Sequence, residues 1–169
     1  PPLKEDMPKD CLNPYSVSKT SGEELCKMYT ELFGLQTITF RYFNVYGNRQ
    51  PTKGQYAPVI GLFERQKENG ELMTVVGDGM QTRDYTHVKD VVNANILATQ
   101  CEEGFGDIFN IGTGVSYSVL DLVKFIGGPF TNIPPRLGEG RHTQADISKA
   151  KAILKWEPKL TLKEYFKCK

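Results

Sequence analysis

The chain has 169 residues, 39% hydrophobic and 24% charged, the composition of one soluble globular domain or part of one. Its 21 basic and 20 acidic residues leave a net charge of +1, so no whole-protein field draws it to nucleic acid or to a membrane, and no apolar run approaches the ~20 residues that span a bilayer. None of the four cysteines (Cys11, Cys26, Cys101, Cys168) falls in a Cys-x-x-Cys pair and His87 and His142 are the only histidines, so no metal site is expected and a reduced, cytoplasmic setting is.

Pro1-Pro2 stands where a Met would open a chain, without a signal-like segment, so the sequence reads as a piece of something longer. Residues 1–12 are polar and proline-bearing, hence a loop. Asn13-Pro14 has the pattern of a helix start, with Asn as N-cap and Pro at the first helical position. The helix runs to Phe33, with Leu25, Met28, Tyr29 and Leu32 at helical spacing, and Gly34 ends it. That stripe is either intramolecular core or a dimer seam. Gln36 to Phe43 is β-branched and aromatic, a strand; Asn44 to Lys53 reads as a loop.

Ala57 to Gly70 is predicted as a helix, Met73 to Val76 as a short strand and Gly77-Asp78-Gly79 as a turn. Val88 to Gln100 is a further helix, with Val91, Val92, Asn95 and Ala98 on one side, and Asp107 to Ile111 a short strand. Ser118-x-x-Asp121 is a capping-box variant opening a helix to Ile126. Asp146 caps a helix from Ile147 to Lys155, Trp156 is expected in the core, and Thr161 starts a last helix. Strands and helices alternate, so the class is α/β. Only three or four strands are legible, few for a complete parallel sheet covered on both faces.

Tyr15 and Lys19, in NPYSVSK, lie one turn apart and share a helix face. In a first turn, a neighbouring ammonium stabilises a phenolate, the form a general base needs near neutral pH. Ser16 and Ser18 are small and leave room for a ligand. The spacing by itself decides nothing, since Tyr85–Lys89 and Tyr165–Lys169 repeat it and an exposed helix pair explains it equally well. Tyr85, however, precedes its helix, and Lys169 is the final residue.

NPYSVSK is followed in order by FRYFNVYG (Phe40 to Gly47), VVGDGMQTRDYTHVKDV (Val75 to Val91), FNIGTG (Phe109 to Gly114) and PRLGEGRHTQADISKAKAILKWEP (Pro135 to Pro158). In this order and spacing the chain resembles the nucleotide-sugar epimerases and dehydratases of the extended short-chain dehydrogenase/reductase family, most closely the UDP-glucose and UDP-N-acetylglucosamine 4-epimerases. The resemblance covers essentially the whole chain. Dehydratases of the family usually carry Ser-Asn-Asn-Tyr-Gly where this chain has Phe43-Asn44-Val45-Tyr46-Gly47.

The resemblance implies NAD as cofactor and a UDP-sugar as substrate. It makes residues 1–46 and 86–117 the last part of an NAD-binding Rossmann domain, and 47–85 with 118–169 the smaller nucleotide-sugar-binding α/β domain. Tyr15 would be the proton acceptor and donor, with Lys19 stabilising its phenolate and binding the nicotinamide ribose. The chain from Tyr42 to Val45 would abut the nicotinamide, and Asn44 would bind the substrate diphosphate. Thr74 and Val76 would line the uracil. Arg83 and Arg136 would grip the diphosphate or ribose side of the nucleotide, against the alternative that Arg83 is a solvated partner of Asp84. Glu139 would accept from ribose hydroxyls. Thr143 would sit beside the sugar C2 substituent, where a small residue admits an N-acetyl group. Family members commonly dimerise through the equivalent of helix 14–33, so the apolar stripe would be the seam of a homodimer.

The family's Gly-x-x-Gly-x-x-Gly turn, which holds the NAD pyrophosphate at a helix N-terminus, has no counterpart here: Gly112-Thr113-Gly114 is followed by Val115, Ser116 and Tyr117. The acidic residue for the adenine ribose and the Ser/Thr upstream of the tyrosine are missing too. The resemblance therefore implies that about the first half of the enzyme lies outside this chain, and that the chain alone is inactive. The rivals are a 4,6-dehydratase or reductase, and a non-catalytic fragment that binds a nucleotide weakly.

Overall fold

Asn13 organises the first helix in both directions. Its side chain accepts from the Ser16 amide (2.9 Å) while Ser16 Oγ accepts from the Asn13 amide (3.2 Å), and Pro14 pre-sets the first turn. The computed structural model describes residues 2–54, 57–135 and 140–167. In it α1 spans Pro14–Phe33 and stops at Gly34, whose φ of 68° is the left-handed conformation that glycine adopts without penalty.

The next strand is longer in function than expected. β1 (Thr39–Tyr42) pairs in parallel with β5 (Ile108–Ile111), and the Phe43 amide adds a last rung to Ile111 O at 3.0 Å. The backbone then stays extended as β2 (Asn44–Tyr46) and changes neighbour, pairing with β4 (Thr82–His87). The expected loop at Asn44 is thus a strand for three residues. One extended stretch serves two sheets.

Three more strands, β4, β6 (Ser116–Ser118) and β7 (Phe130–Ile133), escaped the sequence reading. β4 sits between β2 and the antiparallel β6, while β3 (Met73–Val76) pairs in parallel with β7. Helices α2 (Val59–Glu68), α3 (Val88–Thr99) and α4 (Val119–Ile126) alternate with them. The Ser118–Asp121 box forms as expected, with the Asp121 amide 3.0 Å from Ser118 Oγ. On α3 the buried face is Asp90, Val91 and Ala94 rather than the expected one; Val92 is exposed and Asn95 turns to Tyr42. α5 is short (Ser148–Ile153), because Asp146 closes a turn onto the Ser148 amide (2.9 Å) instead of capping and Lys155 takes a positive φ. α6 covers Leu162–Lys167.

These elements enclose two hydrophobic clusters. Tyr46, Ile60, Phe63, Met73, Val75, Tyr85, Leu122 and Leu162 form the first. Val91, Phe109, Ile111, Ala145, Ala150, Leu154 and Trp156 form the second. Trp156 is fully buried, as expected, and donates through Nε1 to Asp90 O at 3.0 Å. The C-terminal third of the chain therefore contributes to both clusters. Its segment at 144–146 also sits against the N-terminus: Leu3 N donates to Gln144 O (2.7 Å) and Asp146 N to Leu3 O (2.9 Å).

α1 is attached differently. Its one buried residue among those described is Glu23; Leu25, Tyr29, Leu32 and Phe33 are exposed, so the stripe is not core within this chain. Glu23 is held by Arg41 of β1 (Nε–Oε1 2.6 Å, Nη2–Oε2 2.8 Å) and by Lys9 (3.2 Å). The Arg41 guanidinium, with Lys9 adding to it, holds the Glu23 carboxyl below its ordinary value of 4.5 against the opposing effect of burial. A depressed carboxylate contributes stability above its unfolded value and loses it as pH falls through the folded one. The ties of α1 to β1 should therefore be intact at neutral pH and weaken below about pH 4.5. Hydrogen exchange of α1 amides followed from pH 6 downward checks this: protection lost in α1 before the rest of the chain, at a pH below 4.5, is expected, and protection in α1 that outlasts the rest contradicts it.

Candidate active site

One cleft of about 890 Å³ opens where α1, β2, β3, β4 and the start of α4 converge. Tyr15, Asn44, Val45, Thr74, Val76 and Arg83 all line it, together with Gln81 and Tyr85. Six residues singled out from distant stretches of sequence thus meet at one place. Tyr15 is at the rim, 64% exposed, because a first-turn residue on the outer side of α1 has no core above it. Lys19 does not line the cleft itself, but its Nζ sits 5.3 Å from the centroid of the Tyr15 ring, within cation–π reach.

Thr74 is fixed by the buried Gln66, whose amide donates to its hydroxyl (3.0 Å) and accepts from its backbone N–H (3.1 Å). Arg83 donates through Nη1 to its neighbour Thr82 O at 2.9 Å. The expected alternative for Arg83, pairing with Asp84, is not what the strand allows. Successive side chains on β4 point to opposite faces, and Asp84 is fully buried on the other one. There it accepts from Thr113 N (2.8 Å), Thr113 Oγ1 (2.7 Å), Gly114 N (2.9 Å) and Ala145 N (3.1 Å).

Two candidates lie elsewhere. The Tyr42 hydroxyl meets Asn95 of α3 (3.0 Å) in a separate groove with Gln36, Ile38 and Phe40. Thr143 is in an extended segment, its amide donating to Thr82 O (3.1 Å), and is not part of the cleft lining. Arg136 and Glu139 lie outside the described residues. Among the described residues no group of His, Cys, Asp and Glu could hold a metal, and no helix is long and apolar enough to cross a membrane.

Tyr85, which the sequence reading weighed as half of a Tyr-x-x-x-Lys pair and set aside, also lines the cleft. It is in register with Asn44 across the β2–β4 ladder, and two residues from Arg83 it shares that side chain's face. Recognising QTRDYTH as a strand would have found it. Its hydroxyl is buried and has no hydrogen-bond partner among the described residues. Burial pushes its phenol well above the ordinary value, which disfavours the phenolate a base requires. Of the other tyrosines that begin a Tyr-x-x-x-Lys spacing, Tyr165 packs against Tyr46 and Phe166 and does not line the cleft.

The sequence signature of the NAD dependent epimerase/dehydratase family covers residues 1–112. The chain belongs to that family. It is 41% identical over 172 residues to a putative UDP-glucose 4-epimerase of Methanocaldococcus jannaschii, covering 98% of this chain and 55% of the relative. Among solved structures, the UDP-glucose 4-epimerase of Thermotoga maritima with UDP-glucose superposes with a TM-score of 0.85 at 40% identity, over 91% of this chain and 51% of that one. The UDP-glucuronic acid 4-epimerase of Bacillus cereus, in complex with UDP-glucuronic acid and NAD, gives 0.87 at 33% identity, over 99% and 54%. The chain spans about half the length of the relatives it matches. The α/β class and the Rossmann-type relationship expected from the sequence are shown by these matches, and the family's cofactor is NAD.

The residues present suit one end of that cofactor. A phenol and an ammonium side by side, with the apolar Val45 lining the same cleft as the phenol, make a donor set for ribose hydroxyls and a surface for a flat aromatic ring. Tyr15, Lys19 and Val45 would hold it there.

Proposed function

We propose that the whole protein carrying this chain is an NAD-dependent 4-epimerase of a UDP-hexose, UDP-glucose/galactose or their N-acetyl forms, working through a 4-keto sugar. The observation that carries the reading is the meeting of Tyr15, Asn44 and Arg83 in one cleft. A base at the rim and a permanent cation within suit a ligand with a reacting hydroxyl at one end and phosphates at the other. Tyr15 takes the proton of the sugar 4-hydroxyl and returns it after the keto sugar has turned over in the cleft. Lys19 stabilises the phenolate. Asn44 and Arg83 hold the diphosphate, with Arg136 and Glu139 assigned by sequence to the same nucleotide, and Thr74 and Val76 face the base. NAD, when bound, accepts and returns the hydride. Residues 1–46 and 86–117 serve the cofactor side, and 47–85 and 118–169 the sugar nucleotide. The exposed Leu25, Tyr29 and Leu32 of α1 support pairing of two copies along that helix.

The test is proton NMR of the whole protein with NAD and UDP-glucose. Anomeric signals of UDP-galactose should appear and settle at equilibrium. A dehydrated 4-keto-6-deoxy product, or no conversion of either the plain or the N-acetyl sugar, would overturn the reading. The chain alone should show no heat of binding on titration with NAD, since it offers contacts to one end of the dinucleotide only.

A further inference from the structure

The helix that carries Tyr15 is located by polar contacts rather than by a buried apolar face: the Glu23–Arg41 ion pair, and Thr37 Oγ1 bonded to Cys26 O (3.1 Å) and to Thr30 Oγ1 (2.7 Å). α1 has 20 residues, yet the only one buried among those described is a glutamate. Tyr15, Lys19 and Glu23 succeed each other at four-residue steps, so they form one row along the helix. Glu23 receives both arms of the Arg41 guanidinium, at 2.6 and 2.8 Å. Arg41 is itself tied down, donating through Nη1 to Glu5 O (3.3 Å), while the Glu5 carboxylate accepts from Asn110 N (2.8 Å) on β5.

Resting on the reading of Tyr15 above, we propose that Glu23 and Arg41 are positioning residues that set the register of α1 against β1 and so place the Tyr15 hydroxyl over the substrate end of the cleft. The geometry is that of two arms from one joint. Eight helical residues carry the chain roughly 12 Å from Glu23 to Tyr15. Three extended residues carry it roughly 10 Å from Arg41 to Asn44. Both arms end in the same cleft. A two-point contact between planar groups fixes rotation as well as distance, which a single ammonium does not. Buried ion pairs are weak stabilisers, and setting register is their best-attested use. Sliding α1 by one turn would displace Tyr15 by about 5.4 Å.

The experiment compares Glu23→Gln, Arg41→Lys, Arg41→Gln and Tyr15→Phe in the whole protein, measuring kcat, the Kd of UDP and thermal midpoint. Glu23→Gln and Arg41→Gln should lower kcat by about 10- to 100-fold, the scale of a 1 Å misplacement, with the Kd of UDP within about twofold of the parent. Arg41→Lys, which keeps the charge and loses the fork, should lose nearly as much. Parent-like kcat in Glu23→Gln beside an inactive Tyr15→Phe overturns the clamp and leaves the reading of Tyr15 standing. Full activity in Arg41→Lys also overturns it, as does a parallel loss of kcat, UDP affinity and thermal midpoint. An active Tyr15→Phe overturns the reading on which the clamp rests. If Glu23→Gln does not fold, Arg41→Lys alone decides.

Discussion

Replacing Tyr15 with phenylalanine should lower kcat of the whole protein by roughly 10²- to 10⁴-fold, the usual contribution of one general acid–base group, and leave the affinity for UDP within about twofold. The substitution is conservative in every respect but one. Tyr15 is largely exposed, so its hydroxyl contributes little to packing, and the ring that Lys19 overlies is retained. The groups assigned to the diphosphate, Asn44 and Arg83, are untouched. Only the atom that exchanges a proton with the sugar is lost. Tyr85→Phe is the control, since burial disfavours its phenolate. It should turn over at near-parent rate. Abolished turnover in Tyr85→Phe with near-normal turnover in Tyr15→Phe would show that the base had been assigned to the wrong tyrosine.

Asp84→Ala should destabilise the chain by about 3–5 kcal/mol, the scale of leaving several buried donors without their acceptor. The carboxylate is fully buried and collects three backbone amides, those of Thr113, Gly114 and Ala145, besides the Thr113 hydroxyl. Removing it leaves those amides without an acceptor, at about 1–3 kcal/mol each before water enters or the loop relaxes. Space around the carboxylate is tight: a Cβ on Gly112 would collide with Ala145 Cβ and stand 2.9 Å from Asp84 Oδ2. Urea unfolding followed through the single tryptophan, the fully buried Trp156, reports the loss directly. A midpoint unchanged from the parent would mean that the carboxylate does not hold these segments together.

Asp84 also shows why part of the fold was not legible in the sequence. The helix ends were written in local chemistry: Asn13, Pro14 and Gly34 bound α1, and Ser118 with Asp121 starts α4. β4 was hidden because its buried positions include Asp84, Thr86 and His87, which no hydrophobic alternation marks. Their partners lie far along the chain, with the Asp84 carboxylate reaching Ala145 across 61 residues. The same holds for the site. Motif order brought Tyr15, Asn44, Val45, Thr74, Val76 and Arg83 to one cleft. It did not give the direction of each side chain, so Tyr42, two residues from Asn44, was included although its hydroxyl turns to α3. Tyr85 was set aside because it precedes its helix, and with its strand unrecognised nothing aimed its side chain at the cleft.

The contacts of the first few residues bear on the order in which the chain folds. Asn110 is tied to Leu3 and Glu5 across 107 and 105 residues, and Trp156 reaches Asp90 across 66. Such closures demand chain entropy before any burial rewards them, so they form slowly and late. On a ribosome adding about 5–20 residues per second, β1 would wait several seconds for β5, and longer still for the segment that carries Trp156. During that interval α1 is held by its caps and by local polar ties to Lys9, Thr37 and Arg41. A truncation after residue 140 would consequently remove the closing layer of the second cluster, with Ala145, Ala150, Leu154 and Trp156, leaving a nascent chain arrested before its last step.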